Sequence, residues 1–354
     1  MLKKLEDFPD NEVLETYYKC RHYLQMHDNI MISYSGGSDS DIILDIVMRV
    51  INEDKELFKN KKVQVVFYDT GIEYDATKKH LEDVEKKYGI KIERIRADKP
   101  VPLGCQEYGL PFLSKLASEL IERLQKHNFD FKNDGNKSYE ELKEKYKGID
   151  SALGWWCNEY PNRKGRVSHF NINAFKYLKE FMIENPPDFK ISNKCCKGAK
   201  KDPSKKYQEE NKIDLKILGL RSAEGGVRTT AIKSCFTDNG LDMNKPSEYR
   251  PIWRFDNNTK QKYKEICDVK YSDCYEKYGF TRTGCCACPF GSKFDDELNE
   301  IQKHEPKLYN AVNNIFGKSY EYTRKYKKFK EELKEKNRKT KRPIKALKGQ
   351  INMF

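Results

Sequence analysis

Long apolar runs are missing from this 354-residue chain. No stretch of 18 apolar residues occurs, which excludes a membrane-spanning helix. The opening MLKKLEDFPD lacks the apolar segment of a secretory signal peptide. Histidine is scarce, six in all, and those six, including His22, His80, His169 and His304, form no metal-ligand spacing. No internal repeat is visible. Together these absences point to a soluble, cytoplasmic protein with no membrane partner. What is present is 35% charged, 37% hydrophobic and 12% aromatic residues, which excludes a collagen-like, mucin-like or wholly disordered chain. The length suits about two domains, or one α/β domain with an appendage.

Acidic residues are in deficit, 55 against 68 Lys and Arg, a net charge of +13. The excess is local. Residues 318–354 hold 14 Lys/Arg and 4 Glu, while the other 317 residues carry a net of only +3. The body is nearly balanced and the basicity is a C-terminal feature.

Residues 10–27 read as a helix, followed by the apolar run Asn29 to Tyr34. The loop Ser35-Gly36-Gly37-Ser38-Asp39-Ser40 comes next, and DIILDIVMRVI after it has apolar residues at helical spacing. A second strand, Val63 to Tyr68, closes at Asp69-Thr70-Gly71. A charged amphipathic helix from about Asp75 to Tyr88 leads to a third strand, Ile90 to Ile95. This βαβαβ alternation predicts a doubly wound parallel sheet. Residues 105–190 read as a mostly helical insertion, and Leu215 to Leu220 as a further strand running into Arg221. The domain boundaries expected are an N-terminal helix at 1–27, an α/β domain at 28–291 with a cysteine loop at 284–291, and a helical basic extension at 292–354.

The glycines of the first loop let the backbone approach phosphate oxygens, and the N–H groups of the following helix favour an anion. The loop is not a Walker A sequence, since the G-K-[ST] ending is missing. A plain βα turn explains one glycine pair but not the whole of S-G-G-x-D-S. With Asp69-Thr70-Gly71-Ile72-Glu73 and Gly219-Leu220-Arg221-Ser222-Ala223-Glu224-Gly225-Gly226-Val227-Arg228, the loop resembles the PP-loop ATP-pyrophosphatase (adenine nucleotide alpha hydrolase-like) superfamily, in particular its phosphoadenosine-phosphosulfate (PAPS) reductase family. The resemblance runs in order over roughly residues 28–291. It implies ATP, adenylyl sulfate (APS) or PAPS, with Mg²⁺, held by Ser33, Ser35, Gly36, Gly37, Ser38, Asp39, Ser40, Asp69, Thr70, Gly71 and Glu73. It implies catalytic roles for Asp39, Arg221, Glu224 and Arg228, the arginine forks suiting oxyanions. Asp69 can also cap the following helix, and both roles can hold together.

Eleven cysteines in a chain without an export signal are more often metal or redox groups than disulfides. Cys195-Cys196 and the C-x-x-C of Cys285 and Cys288 resemble the ligands of a [4Fe–4S] cluster in the APS reductase branch. Zinc is the alternative for four thiolates, and buried free thiols are the bland reading. Cys286 could replace Cys285, and Cys267 or Cys274 the tandem pair. The reductases also carry a thiol in a C-terminal E-C-G-[IL]-H segment, whereas no cysteine follows Cys288 here. The expectation is therefore an ATP-binding iron–sulfur enzyme that adenylates and sulfurates a nucleic acid or related substrate, with a sulfur or electron donor protein. The alternatives are a sulfonucleotide reductase taking its thiol from a partner or from Cys235, and a nucleotide sensor without turnover. The basic tail, which interleaves Tyr326 and Phe329 with Lys and Arg, reads either as a contact for DNA or tRNA phosphates or as a solvated helix face. Trp155 and Trp156 are expected to pack rather than stack on a base.

Overall fold

Strand β1 (Asn29–Ser33) is apolar on both faces, which suits it to the middle of a sheet covered on both sides. The computed structural model describes residues 5–162, 164–225, 231–240, 245–291 and 293–350, with side chains as far as 338. Beside β1 lie β2 (Lys62–Asp69), β3 (Ile92–Arg96), β4 (Leu215–Leu218), β5 (Phe236–Thr237) and β6 (Ser247–Tyr249), in the order β3-β2-β1-β4-β6-β5. All pairings are parallel except β5 with β6. The expected α/β architecture is present as a mixed, mostly parallel six-stranded sheet. The sequence reading missed β5 and β6, which at two and three residues are too short to show an apolar period.

Two compact units make up the chain. The first is drawn from Met1–Val101, Cys196–Ala287 and Asp295–Tyr309, the second from Pro102–Cys195, Cys288–Phe294 and Asn310–Phe354. The first holds the sheet. Ile30 and Ile32 of β1 face the main core, with Val13, Tyr17 and Leu24 of the helix Asn11–Met26 and Ile42, Ile46 and Val50 of the helix Ser38–Glu53. Met31, between them, faces the other way and packs with Val66, Tyr207 and Ile213. This period-2 alternation puts helices on both faces of the sheet. The strand order reverses between β2 and β4 on either side of β1, so the switch point falls at the carboxyl ends of β1 and β4, the usual ligand position in such sheets.

The second unit is helical. Its core gathers Leu120, Ile121 and Leu124 with Trp155, Trp156, Phe181 and Tyr322. The tryptophans pack, as expected: both are fully buried. The Trp156 ring lies edge-on to Phe129 and Phe131, and its Nε1 donates to Gly135 O at 2.9 Å. Replacing Trp156 by alanine removes that filling and leaves the Gly135 carbonyl without its donor, so stability should fall by about 3–5 kcal/mol. Urea unfolding followed by circular dichroism checks this.

The basic helix Pro306–Gln350 contributes aromatic residues to this core. Tyr322, Tyr326 and Phe329 recur at helical spacing and belong to the core of this unit, where all three ring systems contact Phe181. The Tyr322 and Tyr326 hydroxyls donate to Asn185 O and Lys176 O. Tyr326 and Phe329 are thus spent on packing and are not offered to a base. The lysines interleaved with them reflect the outer face of an amphipathic helix.

Candidate nucleotide-binding site

The site in the first unit is built from the loop upward. Ser33 ends β1 in register with Leu218 of β4, so the two strands deliver Ser35 and Gly219 to the same edge. Gly36 has φ +65°, a conformation that favours glycine, and a Cβ there would lie 2.8 Å from Thr77 Cγ2. Gly219 is a close-approach glycine: a Cβ on it would sit 3.2 Å from Ser40 N. Ser40 fastens the turn from inside. Its Oγ accepts from Gly37 N at 3.0 Å and donates to Gly37 O at 2.7 Å, and Ser35 Oγ lies 3.1 Å away. The helix Ser38–Glu53 starts directly from this turn, so its dipole favours an anion there.

Two cations converge on the loop. Arg221 Nε reaches Asp39 Oδ1 at 3.0 Å, and the same guanidinium donates to Phe255 O and to Asn257 Oδ1. Lys260 Nζ lies 2.6 Å from Asp39 Oδ1 and 2.6 Å from Ser38 Oγ. The three charged side chains are between 9% and 16% exposed, so their attraction is less screened than on an open surface. Sequence reading found Asp39 and Arg221 but missed Lys260. It lies on the helix Asn257–Cys267 with no motif around it, and only the fold brings it to Ser38. Tyr275 and Thr283 were also missed. Their hydroxyls bond each other at 2.8 Å, and both would stand 3.2 Å from a Cβ at Gly37.

The second motif folds on itself. Asp69 Oδ1 accepts from Gly71 N at 2.8 Å, so Asp69 secures its own turn; the helix Asp75–Tyr88 takes its cap elsewhere, Glu305 accepting from Asp75 N and Ala76 N. Buried Glu73 accepts from Thr70 N and Thr70 Oγ1. Beside this turn Cys285, Cys196 and Lys200 come together. Burial pushes the Cys285 thiol up, against the opposing charge of Lys200, while Cys196 and Glu73 add to the rise. Burial works against the Lys200 ammonium, yet Cys285, Glu73 and Cys196 around it hold its pKa above the ordinary lysine value. The lysine also hydrogen-bonds Cys285.

The remaining predicted positions divide as follows. Glu224 sits in the short turn Ser222–Glu224, exposed. Arg228 lies outside the described residues. Cys196 and Cys285 belong to the first unit, Cys195 and Cys288 to the second. None of the eleven cysteines is in a disulfide. Among the described residues no three His, Cys, Asp or Glu side chains gather as metal ligands. Cys267 and Cys274 are buried in the first unit, where burial pushes both thiols up to about 11.

Fold and site together give an α/β domain with a glycine turn at the carboxyl end of its first strand. Residues 29–145, about a third of the chain, match the phosphoadenosine phosphosulfate reductase domain. An uncharacterized protein of Methanocaldococcus jannaschii is 25% identical over 295 residues, 83% of this chain; the chain spans only 42% of that relative's length. Among solved structures, the phosphoadenylyl-sulfate reductase of Candida auris, in a phosphate complex, is 13% identical, with 76% of this chain and 87% of that one covered and a TM-score of 0.39. The U34-tRNA thiolase NcsA of Methanococcus maripaludis, with its [4Fe-4S] cluster, is 15% identical, with 90% and 79% covered and a TM-score of 0.33. Among the described residues no helix is long and apolar enough to cross a membrane.

Proposed function

We propose that this chain binds ATP at Ser35–Ser40 and cleaves it between the α and β phosphates, to adenylate an oxygen on a nucleic acid or related substrate that is then replaced by sulfur. The observation that carries this reading is the convergence of Arg221 and Lys260 on the Gly36-Gly37 turn at the start of a helix. Loop N–H groups and Lys260 would hold the pyrophosphate leaving group, and Arg221 would steady the α-phosphate. Mg²⁺, when bound with the nucleotide, would neutralise phosphate charge. The test is pyrophosphate release from ATP with tRNA, with DNA and alone. Release stimulated by one of the polymers supports the reading; no release in any of the three overturns it.

A second reading, reduction of APS or PAPS to sulfite, is favoured by the family match over residues 29–145. Sulfite released from a sulfonucleotide in the presence of a thiol donor distinguishes it. Absence of both sulfite and pyrophosphate would leave a nucleotide sensor without turnover.

The finer cofactor reading is a [4Fe–4S] cluster on Cys195, Cys196, Cys285 and Cys288, with zinc as the alternative. Its support is the paired cysteine spacing and the meeting of Cys196 and Cys285 at Lys200. Anaerobic metal analysis decides. Iron in the full chain that is lost in Cys196→Ser supports it, and metal-free protein rejects it.

The basic helix is the proposed contact for a polyanion, and packing fixes where it can be cut. Removing residues from Tyr326 onward would strip core aromatics, whereas ending the chain after Arg338 leaves them and removes Lys339, Lys341, Arg342, Lys345 and Lys348. That truncation should weaken tRNA or DNA binding severalfold, flatten its salt dependence and spare ATP binding. Filter binding at several salt concentrations measures it.

A further inference from the structure

Residues 160–179, in the second unit, carry five Lys or Arg and no Asp or Glu, in a chain with 55 acidic residues. Tyr160, Phe170, Phe175 and Tyr177 are interleaved with those cations. In the helix Pro306–Gln350 the same mixture serves packing, so exposure separates the two cases. Here one ring lies outside. Phe170 is 47% exposed, and among the described residues no other phenylalanine is exposed. Lys164, Arg166, Val167 and His169 of the same loop are exposed as well. The His169 ring lies 4.0 Å from that of Phe170 at an interplanar angle of 38°, and the Tyr160 ring lies 5.9 Å from it.

The loop that presents these groups has a fixed base. Asn171 is buried, and its amide ties residue 171 back to residue 160: Oδ1 accepts from Tyr160 N at 3.0 Å and Nδ2 donates to Tyr160 O at 2.7 Å. Ser168 N donates to Asn162 Oδ1 at 2.9 Å across the loop, and Tyr160 packs against the core of the unit. Groups on a loop tied in this way lose little further freedom when a partner arrives. A single exposed apolar residue needs no explanation. An exposed phenylalanine with a second ring against it, on a tied loop free of carboxylates, suits a partner that is flat and anionic. Unpaired nucleotides are both, since a base offers a π-face to a ring and each phosphate a charge to Lys or Arg. Bases within a duplex are covered by their own stack and offer no such face. The basic helix continues the surface: Tyr326 donates to Lys176 O, and Asn337 Nδ2 donates to the Tyr177 hydroxyl at 2.9 Å.

We propose that residues 160–171 bind an unpaired stretch of nucleic acid, with a base stacking on Phe170 and His169 and with Lys164 and Arg166 meeting its phosphates. This rests on the nucleic-acid substrate of the reading above, not on its adenylation step, and narrows that substrate to single-stranded segments. The test is fluorescence anisotropy of the nucleotide-free full-length protein with a labelled oligouridylate, with an oligothymidylate, and with an RNA duplex of equal length. Saturable binding of the single strands, tighter than that of the duplex, is expected. Phe170→Ala should weaken single-strand binding by about tenfold with its salt dependence unchanged, and Phe170→Trp should restore it. Lys164→Ala/Arg166→Ala should lower the slope of log affinity against log salt by about 1.4, two single-strand phosphate contacts at about 0.7 each. All three side chains are exposed, so the variants should melt as the wild type does. Binding is read without ATP, which keeps it apart from pyrophosphate release. Binding lost in Phe170→Ala, with no release under any condition, keeps this proposal and overturns the adenylation reading. Polymer-stimulated release, with Phe170→Ala binding as the wild type does, has the reverse meaning. The proposal is overturned by no saturable binding of single strands, by a duplex bound as tightly, or by wild-type affinity in Phe170→Ala. A loss of self-association in that last case would assign the loop to a second copy of the chain instead.

Discussion

Lys260→Ala should lower ATP affinity by about 10- to 100-fold, with thermal stability nearly unchanged. A hydrogen bond to a charged group contributes about 1.5–3 kcal/mol, and tenfold in binding corresponds to about 1.4 kcal/mol. In the protein without nucleotide Lys260 is already oriented by Asp39 and Ser38, so little side-chain freedom is left to lose when phosphate arrives. Asp39 keeps Arg221 in the variant, so it is not abandoned as a buried unpaired charge. Lys260→Arg should recover only part of the affinity, because a planar guanidinium cannot reproduce the compact ammonium between Asp39 and Ser38. Calorimetric titration with ATP and a melting curve on the same sample check both statements. An affinity unchanged within twofold would remove Lys260 from the site.

That residue also marks where sequence reading stops. The turn at residues 35–40 was legible because its function is written in local backbone requirements: glycine at a positive φ, a serine to fasten the turn, a helix beginning at once. The strands β1 to β4 were legible because their apolar residues alternate or run unbroken. Lys260 carries no such requirement. Its role arises from a contact between positions 222 residues apart, and one lysine among many on a charged chain gives no local signal. The aromatic residues of the basic helix were ambiguous for the opposite reason. Tyr326 and Phe329 do show a helical period, but with Lys and Arg between them the same pattern serves packing and polyanion contact equally well. Only the presence of Phe181 opposite them separates the two.

The cysteines show a third kind of limit. Short spacing brings Cys195 beside Cys196 and Cys288 three residues after Cys285, and spacing alone does not say what else stands beside a thiol. At residue 196 the chain turns into the π-helical segment Lys197–Lys201, and this directs Lys200 to Cys285 and Glu73. The lysine's place among the thiols was invisible because nothing in C-C-K-G-A-K distinguishes one lysine from the other.

Gly36→Ala should have the larger effect on the loop, and its two causes can be separated. An L-residue in the left-handed region costs about 1–2 kcal/mol. The added methyl also meets Thr77 Cγ2 at 2.8 Å, and Thr77 is 3% exposed, so it has little room to withdraw. The turn must shift, which moves the N–H groups that would face the phosphate of the proposed nucleotide, and displaced donors lose most of their interaction with charge. ATP affinity should therefore fall by about 100-fold or more, with stability down by about 2–3 kcal/mol. Thr77→Ser removes Cγ2 while keeping the hydroxyl that lies 3.8 Å from Cys274 Sγ. Added to Gly36→Ala, it should restore the part of the loss due to collision and leave the part due to backbone conformation. Intermediate affinity in the double variant, with Thr77→Ser alone close to wild type, is the expected pattern. Full recovery would mean that steric contact alone requires glycine at 36, and no recovery would mean that the positive φ alone does.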